Sequence, residues 1–522
     1  MVPWPLEPEP VPGMDEEMAV CDVITSPGTL LSEDVDPLLI RGVPLDLCMQ
    51  SWGTHFSTAE SKNVNTRMRM SYSLSRTTDT IDCFLSHDWQ TSRWKKTVAL
   101  LVIFNSVPAA VTSVLVSTLA SVLLCFDLLP GGWITGGCLG YFSFNLVFFF
   151  WQRLRRILCC RRTMVFFDRI CIAQHDEHLK QEGILSLAGI LAQSRKLVIL
   201  WSPHYFTRLW CTFELGAFLK DSESEKPVEF LPVSVALQLL LQSAFMTALC
   251  LAVHISLYIE EAAAVENSSD AALLFFLIWV LPAGLGILPV LLHYGLQHLE
   301  DVQQLGEQLA NFSVRDAGCT CCTVDHCDPA TGNQLLCDRE LIFRTLKRWY
   351  RNSALDSGEK DHHLVRFDAL VRERLSSSVL PMVGAGVPPA RYRMALYLPL
   401  LTAVFPHYLH LGRVRLRGWG VEHWFMAYGA FAATALLFFW LCFFCCRFSV
   451  KKIRKAVPRW VVIPFLQSLI LLLTFTFWIP FRAVLRRTGS SLAGGVVMSC
   501  MWLILACIYS TQPLRACRKI GQ

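Results

Sequence analysis

The sequence predicts a multi-pass α-helical membrane protein of about eight spans, with an α/β domain on the cytosolic face interrupted by a membrane hairpin, and a Cys-rich helical block on the same face. Three observations predict it. Of 522 residues, 53% are hydrophobic and only 17% charged, with a mean hydropathy of +0.41, whereas soluble domains carry roughly 25% charged residues. Apolar stretches near the ~20 residues of a bilayer-spanning helix recur along the chain. The polar segments between them hold short apolar runs alternating with helical patterns, the mark of an α/β sheet. This composition excludes an intrinsically disordered chain and disfavours a wholly soluble enzyme. The net charge of +5, from 47 Lys+Arg against 42 Asp+Glu, is too mild for a nucleic-acid partner.

Residues 1–75 are expected to be a mostly disordered tail, with eleven acidic residues and one arginine in the first 60 and eight prolines in the first 44. The start of the chain has neither a basic n-region nor an apolar h-region. Its N-terminus is therefore expected in the cytosol, and most of the 21 cysteines as reduced thiols. Residues 76–96 hold a first strand, TIDCFLSHD (80–88), whose apolar run reads as a buried parallel strand.

A transmembrane hairpin follows over 97–152: span one is Thr97 to Phe126, then the turn Asp127-Leu-Leu-Pro-Gly-Gly132, then span two, about Trp133 to Trp151. Residues 153–230 complete the domain. TMVFFDRICI (163–172) is a strand ending near Asp168, 173–183 a polar loop, ILSLAGILAQS a helix, RKLVILWSP (195–203) a strand, 204–220 a helix and PVEFLPV (227–233) a strand. A second hairpin fills 231–292. The block 293–393 holds the cysteines and two amphipathic helices, 341–350 and 364–375. Four spans occupy 394–511, the first of them (Met394 to Gly412) weakened by Pro399, Pro406, His407 and His410, and 512–522 is a cytosolic tail.

Five arginines after span two and six Lys+Arg between spans six and seven put those loops inside. The loop holding the Asn267-Ser268-Ser269 sequon has no Lys or Arg and is expected outside. The loops 412–418 and 481–487, with three arginines each, oppose that parity and leave the orientation of the last four spans open.

Within 80–90 and 163–233 the motifs resemble a known family. Phe84-Leu85-Ser86 is similar to the first box of TIR domains, and Phe167-Asp168 with the 173–183 segment to their second strand and BB loop. Ser194-Arg195-Lys196 through Ser202-Pro203-His204-Tyr205, followed by Trp210-Cys211-Thr212-Phe213-Glu214-Leu215, is similar to the S-R-hydrophobic-S-x-x-Y and W-C-x-x-E-L stretch of plant-type TIR domains. The match covers under a fifth of the chain. It departs from the family in the membrane hairpin between the first two strands and in lacking a fifth strand and third box.

The resemblance implies a signalling protein acting through self-association of this domain in the bilayer, with NAD as a substrate hydrolysed at Glu214. There, a carboxylate near the ribose would stabilise an oxocarbenium-like transition state. Ser86, Asp168, Trp210 and Cys211 are the substrate-binding candidates. The bland alternatives stand beside these: Glu214 as a packed structural acid, Trp210 and Cys211 as core, and Ser86 as a strand end. His175 and His178 read as metal ligands or as a solvated loop. At the level of function the alternatives are a non-catalytic membrane scaffold, or a channel or transporter with a nucleotide-sensing domain. No span interior holds an Asp, Glu, Lys or Arg, which speaks against ion coupling.

Cys319, Cys321, Cys322, His326, Cys327 and Cys337 offer enough ligands for a structural zinc, which needs four. Their spacing, C-x-C-C-x3-H-C-x9-C, matches no common finger, so free or acylated thiols remain open. Cys159-Cys160 and Cys445-Cys446 read either as palmitoylation sites or as small apolar residues in the bundle.

Overall fold

The computed structural model describes residues 30–57 (33 excepted), 64–160, 162–220, 226–263, 281–327, 332, 334–350, 361–383, 388–414, 421–452, 457–488 and 491–518. The sequon and residues 1–29 lie outside them. The chain divides into two units: Met1–Gln90, Thr163–Phe230 and Ala310–Arg374 form the first, and Thr91–Arg162, Leu231–Leu309 and Leu375–Gln522 the second.

The first unit is built on a six-stranded sheet. Its strands are β1 (Arg41–Pro44), β2 (Arg76–Thr77), β3 (Cys83–His87), β4 (Met164–Phe166), β5 (Leu197–Trp201) and β6 (Val228–Pro232), in the order β2-β1-β4-β3-β5-β6. β3 is parallel to β4 and to β5, pairing Phe84 with Phe166 and with Leu197. All residues of β3, β4 and β5 are buried, which is why they read as continuous apolar runs. The four strands expected from sequence all form. The expected disordered tail does not extend to residue 75: β1 lies antiparallel against β4, and β2 against β1. The acids and prolines that suggested disorder cluster before Pro37, whereas Leu39-Ile40-Arg41-Gly42-Val43 can enter a sheet edge.

The 173–183 segment also differs from expectation. It is largely a helix, Glu177–Leu185, because the Asp176 side chain caps it by accepting from the Leu179 N–H at 3.1 Å. The expected helices 341–350 and 364–375 fall within Asp338–Tyr350 and His362–Val383, and bury Ile342, Leu346, Phe367 and Val371. Of the expected block 293–393, residues 310–374 belong to the first unit, while 293–309 lie in the helix Leu281–Ala310 and group with the second.

The second unit is helical. Among the described residues, four helical segments are long and apolar enough to cross a membrane: Arg93–Cys125, Gly132–Cys159, Phe425–Val450 and Arg459–Phe477. The eight expected spans are therefore not supported as such. Span three forms most of the helix Val233–Ala263, and the first part of span four, 271–280, lies outside the described residues. Span five forms a helix, Ala390–Val414, whose prolines and histidines dilute its hydropathy. The turn between the first two helices uses left-handed backbone at Asp127, Gly131 and Gly132. Inside this unit some polar side chains pair between helices. Asn105 Nδ2 donates to the Phe148 carbonyl at 2.8 Å and Gln152 Nε2 to Asn105 Oδ1 at 2.9 Å. Tyr397 OH donates to Gln242 Oε1 at 2.8 Å. Such bonds tie one helix to the next.

Candidate functional site

Two groups of side chains in the first unit carry chemistry. The first lies at the sheet's topological switch. Taken in chain order, β3, β4, β5 and β6 are arranged second-first-third-fourth. Doubly wound sheets of this order bind ligands beyond the carboxyl ends of the first and third strands, here β3 and β5. Those ends bring Ser86 of β3 against Tyr205, in the turn after β5, and Glu214, in the helix Leu209–Leu219. Ser86 Oγ lies 2.6 Å from Tyr205 OH and donates to Glu214 Oε2 at 2.5 Å. Asp88 Oδ2 accepts from Ser202 Oγ at 2.7 Å, and the Cys211 thiol points to the His87 carbonyl at 3.4 Å. The end of β3 is thus sewn to the segment that follows β5.

Burial pushes the Glu214 carboxyl up to about 8; the Ser86 hydrogen bond opposes this, and the charge of Asp168 adds to it. Burial likewise raises the Tyr205 and Cys211 groups. Burial thus favours the neutral form of Glu214. Among the expected residues, Ser86 touches Glu214 and Cys211 sits one turn before it in the buried wall. Asp168 acts on Glu214 through its charge. The Trp210 indole instead donates to Asp338 Oδ2 at 3.0 Å. Tyr205, Asp88 and Ser202 were not singled out from sequence. The Ser202-Pro203-His204-Tyr205 spacing was the available signal, since it returns the ring to the strand end.

The second group is the cysteine segment. Cys321, Cys322, His326 and Cys337 offer four ligand atoms within 4.8 Å of one another, and Cys319, Cys321 and Asp338 form an adjoining set. Cys322 Sγ lies 4.0 Å from Cys321 Sγ, 3.9 Å from Cys337 Sγ and 3.6 Å from His326 Nε2. With Zn–S near 2.3 Å and Zn–N near 2.05 Å, tetrahedral coordination requires S···S edges of about 3.7 Å and S···N edges of about 3.5 Å. The donors are therefore spaced to hold a metal. Burial alone would raise the Cys322 thiol, but bonds from Arg339, His326, Cys337 and Cys321 bring it down to about 7, toward the thiolate a metal needs.

Cys327, expected among the ligands, is exposed and lies outside both sets. The reason is the backbone: Asp325 and His326 adopt positive φ of 51° and 59°, which turns His326 inward and its neighbour outward. His178 lies 3.7 Å from Glu182 on an exposed helix face.

No family model, no curated protein and no solved structure matches this chain.

Proposed function

We propose that the chain is a membrane-anchored signalling protein whose α/β unit is a TIR-like module acting through self-association, with the Ser86–Glu214 locus as its nucleotide site and NAD as the substrate. The observation that carries this reading is the meeting of Ser86, Tyr205 and Glu214 at the ends of β3 and β5, where a sheet of this order takes its ligand. Glu214 is the catalytic carboxylate in this reading. A pyridinium cation brought against it would favour its ionised form, so substrate binding itself would release the proton. The carboxylate would then stabilise positive charge developing on the ribose as the nicotinamide bond breaks.

The pairing of β3 with β4 supports membrane anchoring of this kind. The two apolar helices between these strands must cross the bilayer an even number of times to return the chain to the same sheet. A cytosolic first unit follows from the arginines after the second helix. The Cys321, Cys322, His326 and Cys337 set has the composition of a structural zinc site, and zinc is the metal this reading assigns to it.

The test is nicotinamide release from NAD by full-length protein reconstituted at high density in liposomes. Release by the wild type and its loss in Glu214→Gln, with folding intact, support the reading; no release from the assembled wild type refutes the enzymatic part. A scaffold is the second reading. It is favoured by the burial of Glu214 at 9% exposure against the Ser86 hydroxyl, itself bonded to Tyr205 OH, an arrangement that also locks a helix to a strand without any catalysis.

A further inference from the structure

We propose that the zinc ion read for Cys321, Cys322, His326 and Cys337 is the clamp that fixes the helix Leu209–Leu219, and with it Glu214, against the sheet. The inference rests on the zinc assignment and not on catalysis. It begins with how the donors are presented. Cys321 and Cys322 sit in the single helical turn Thr320–Thr323. The left-handed pair Asp325 and His326 reverses the chain, so the His326 N–H donates to the Cys321 carbonyl at 2.8 Å and the ring returns to Cys322. Non-glycine residues persist in this conformation only where their surroundings over-determine it, and a metal bond to His326 supplies such a constraint. Cys337 arrives from the other arm of the loop, held by Leu335 N–H to the His326 carbonyl at 2.7 Å. The Asp338 N–H points at Cys321 Sγ from 3.3 Å, a bond that favours a metal-bound thiolate. Three sulfurs and one imidazole within 4.8 Å of one another select zinc over oxygen-seeking cations.

Both arms of this loop grip the same turn of the neighbouring helix. On one arm, Gly318 accepts from the Leu209 N–H at 3.0 Å and donates to the Thr207 carbonyl at 2.6 Å. On the same arm, Arg208 reaches Thr320 Oγ1 at 3.4 Å. On the other arm, Asp338 accepts from the Trp210 indole at 3.0 Å. The residues gripped, Thr207 to Trp210, lead directly into the helix that carries Glu214. Hydrogen bonds already join the two arms, from the Leu335 N–H to the His326 carbonyl and from Arg339 to the Arg315 and Ala317 carbonyls at 2.6 and 2.7 Å; the ion adds a tie through the side chains and so closes a ring around the helix start. Without the ion, the three thiols and the imidazole within 4.8 Å of one another lose their common bond, and only these hydrogen bonds are left to hold the two grips together.

The experiment uses full-length protein purified in detergent. Elemental analysis is expected to give about one zinc per chain, retained in Cys327→Ser and lost in Cys337→Ser and His326→Ala. Hydrogen exchange is then followed peptide by peptide before and after a zinc chelator. Exchange over 207–219 is expected to rise about tenfold or more, to fall again when zinc is restored, and to stay constant over 93–125. Treating wild-type protein with chelator keeps the test independent of any variant that fails to fold. Absence of zinc from the folded wild type overturns the metal assignment. Zinc present, with exchange over 207–219 indifferent to its removal, overturns the clamp alone. Neither readout involves NAD, so the result stands apart from the success or failure of the enzymatic reading.

Discussion

Replacing Glu214 with glutamine should abolish a pH dependence that the wild-type helix start carries. In the folded unit the carboxyl is raised to about 8 from an ordinary value of 4.5, first by burial. Once the helix opens, the carboxyl returns to ordinary acidity. Between these values the opened state releases its proton while the folded state keeps it. The contribution of Glu214 is therefore fully present below about pH 4.5, declines as pH rises and is lost above about pH 8. Each pH unit in the window is worth about 1.4 kcal/mol, so raising the pH from 5 to 7 should cost on the order of 3 kcal/mol locally. Glu214→Gln preserves shape and the acceptor for Ser86 Oγ but has no proton to lose. Hydrogen exchange over 209–219, corrected for the intrinsic effect of pH, should show wild-type protection falling by about a hundredfold across that interval, while the glutamine variant stays flat. Parallel profiles in the two proteins would refute the reasoning, because they would mean that Glu214 is solvated and already ionised.

Gly216→Ala should destabilise the first unit even though alanine is the better helix former. An added Cβ would meet Phe367 Cε2 at 2.0 Å, and overpacking of about 1–3 kcal/mol exceeds the propensity gain of ~1 kcal/mol; a thermal scan monitoring tryptophan fluorescence reads the sign. Trp210→Phe removes the donor to Asp338, a carboxyl already raised by burial and held down by that bond. A loss of about 1–3 kcal/mol is expected, visible as faster exchange at 207–211, and an unchanged rate would show the bond to be idle. On a background with reactive cysteines removed, Leu128→Cys and Glu177→Cys should react with an impermeant thiol reagent from opposite sides of the membrane; labelling from one side would end the proposed orientation.

The elements legible in the sequence were those with one dominant physical signal. β3, β4 and β5 announce themselves because both sheet faces are covered, and the first hairpin because apolar length is itself the requirement. β1 and β2 stayed hidden because an antiparallel edge of two to four residues, with proline at one end, has no apolar run to display. The helix Glu177–Leu185 reads as a loop in sequence because its residues are mostly polar and Gly183 interrupts the pattern; the cap at Asp176 is the local signal for it. At the candidate site, chain spacing placed Glu214 and Ser86 in one neighbourhood but said nothing of Tyr205 standing between the strand end and the helix. Among six metal-ligand candidates, spacing could not choose. The choice was made by two left-handed residues, and backbone sign is not written in the order of cysteines.

The interruption of the sheet by apolar helices also bears on how the chain is made. Phe84 pairs with Phe166, 82 residues later (166 − 84), and with Leu197, 113 residues later (197 − 84). At synthesis rates of about 5–20 residues per second, β3 waits several seconds for its first neighbour, with both edges unpaired and its side chains without a core. Unpaired apolar strands recruit other chains, so during that interval the ribosome exposes a sticky segment while, in the membrane reading proposed above, two helices enter lipid. If one of those helices fails to enter, β4 emerges on the wrong side and β3 never finds a partner. In that reading, completion of the sheet would act as a checkpoint on insertion: a chain whose first hairpin is misplaced would keep an open edge that chaperones and proteases can read.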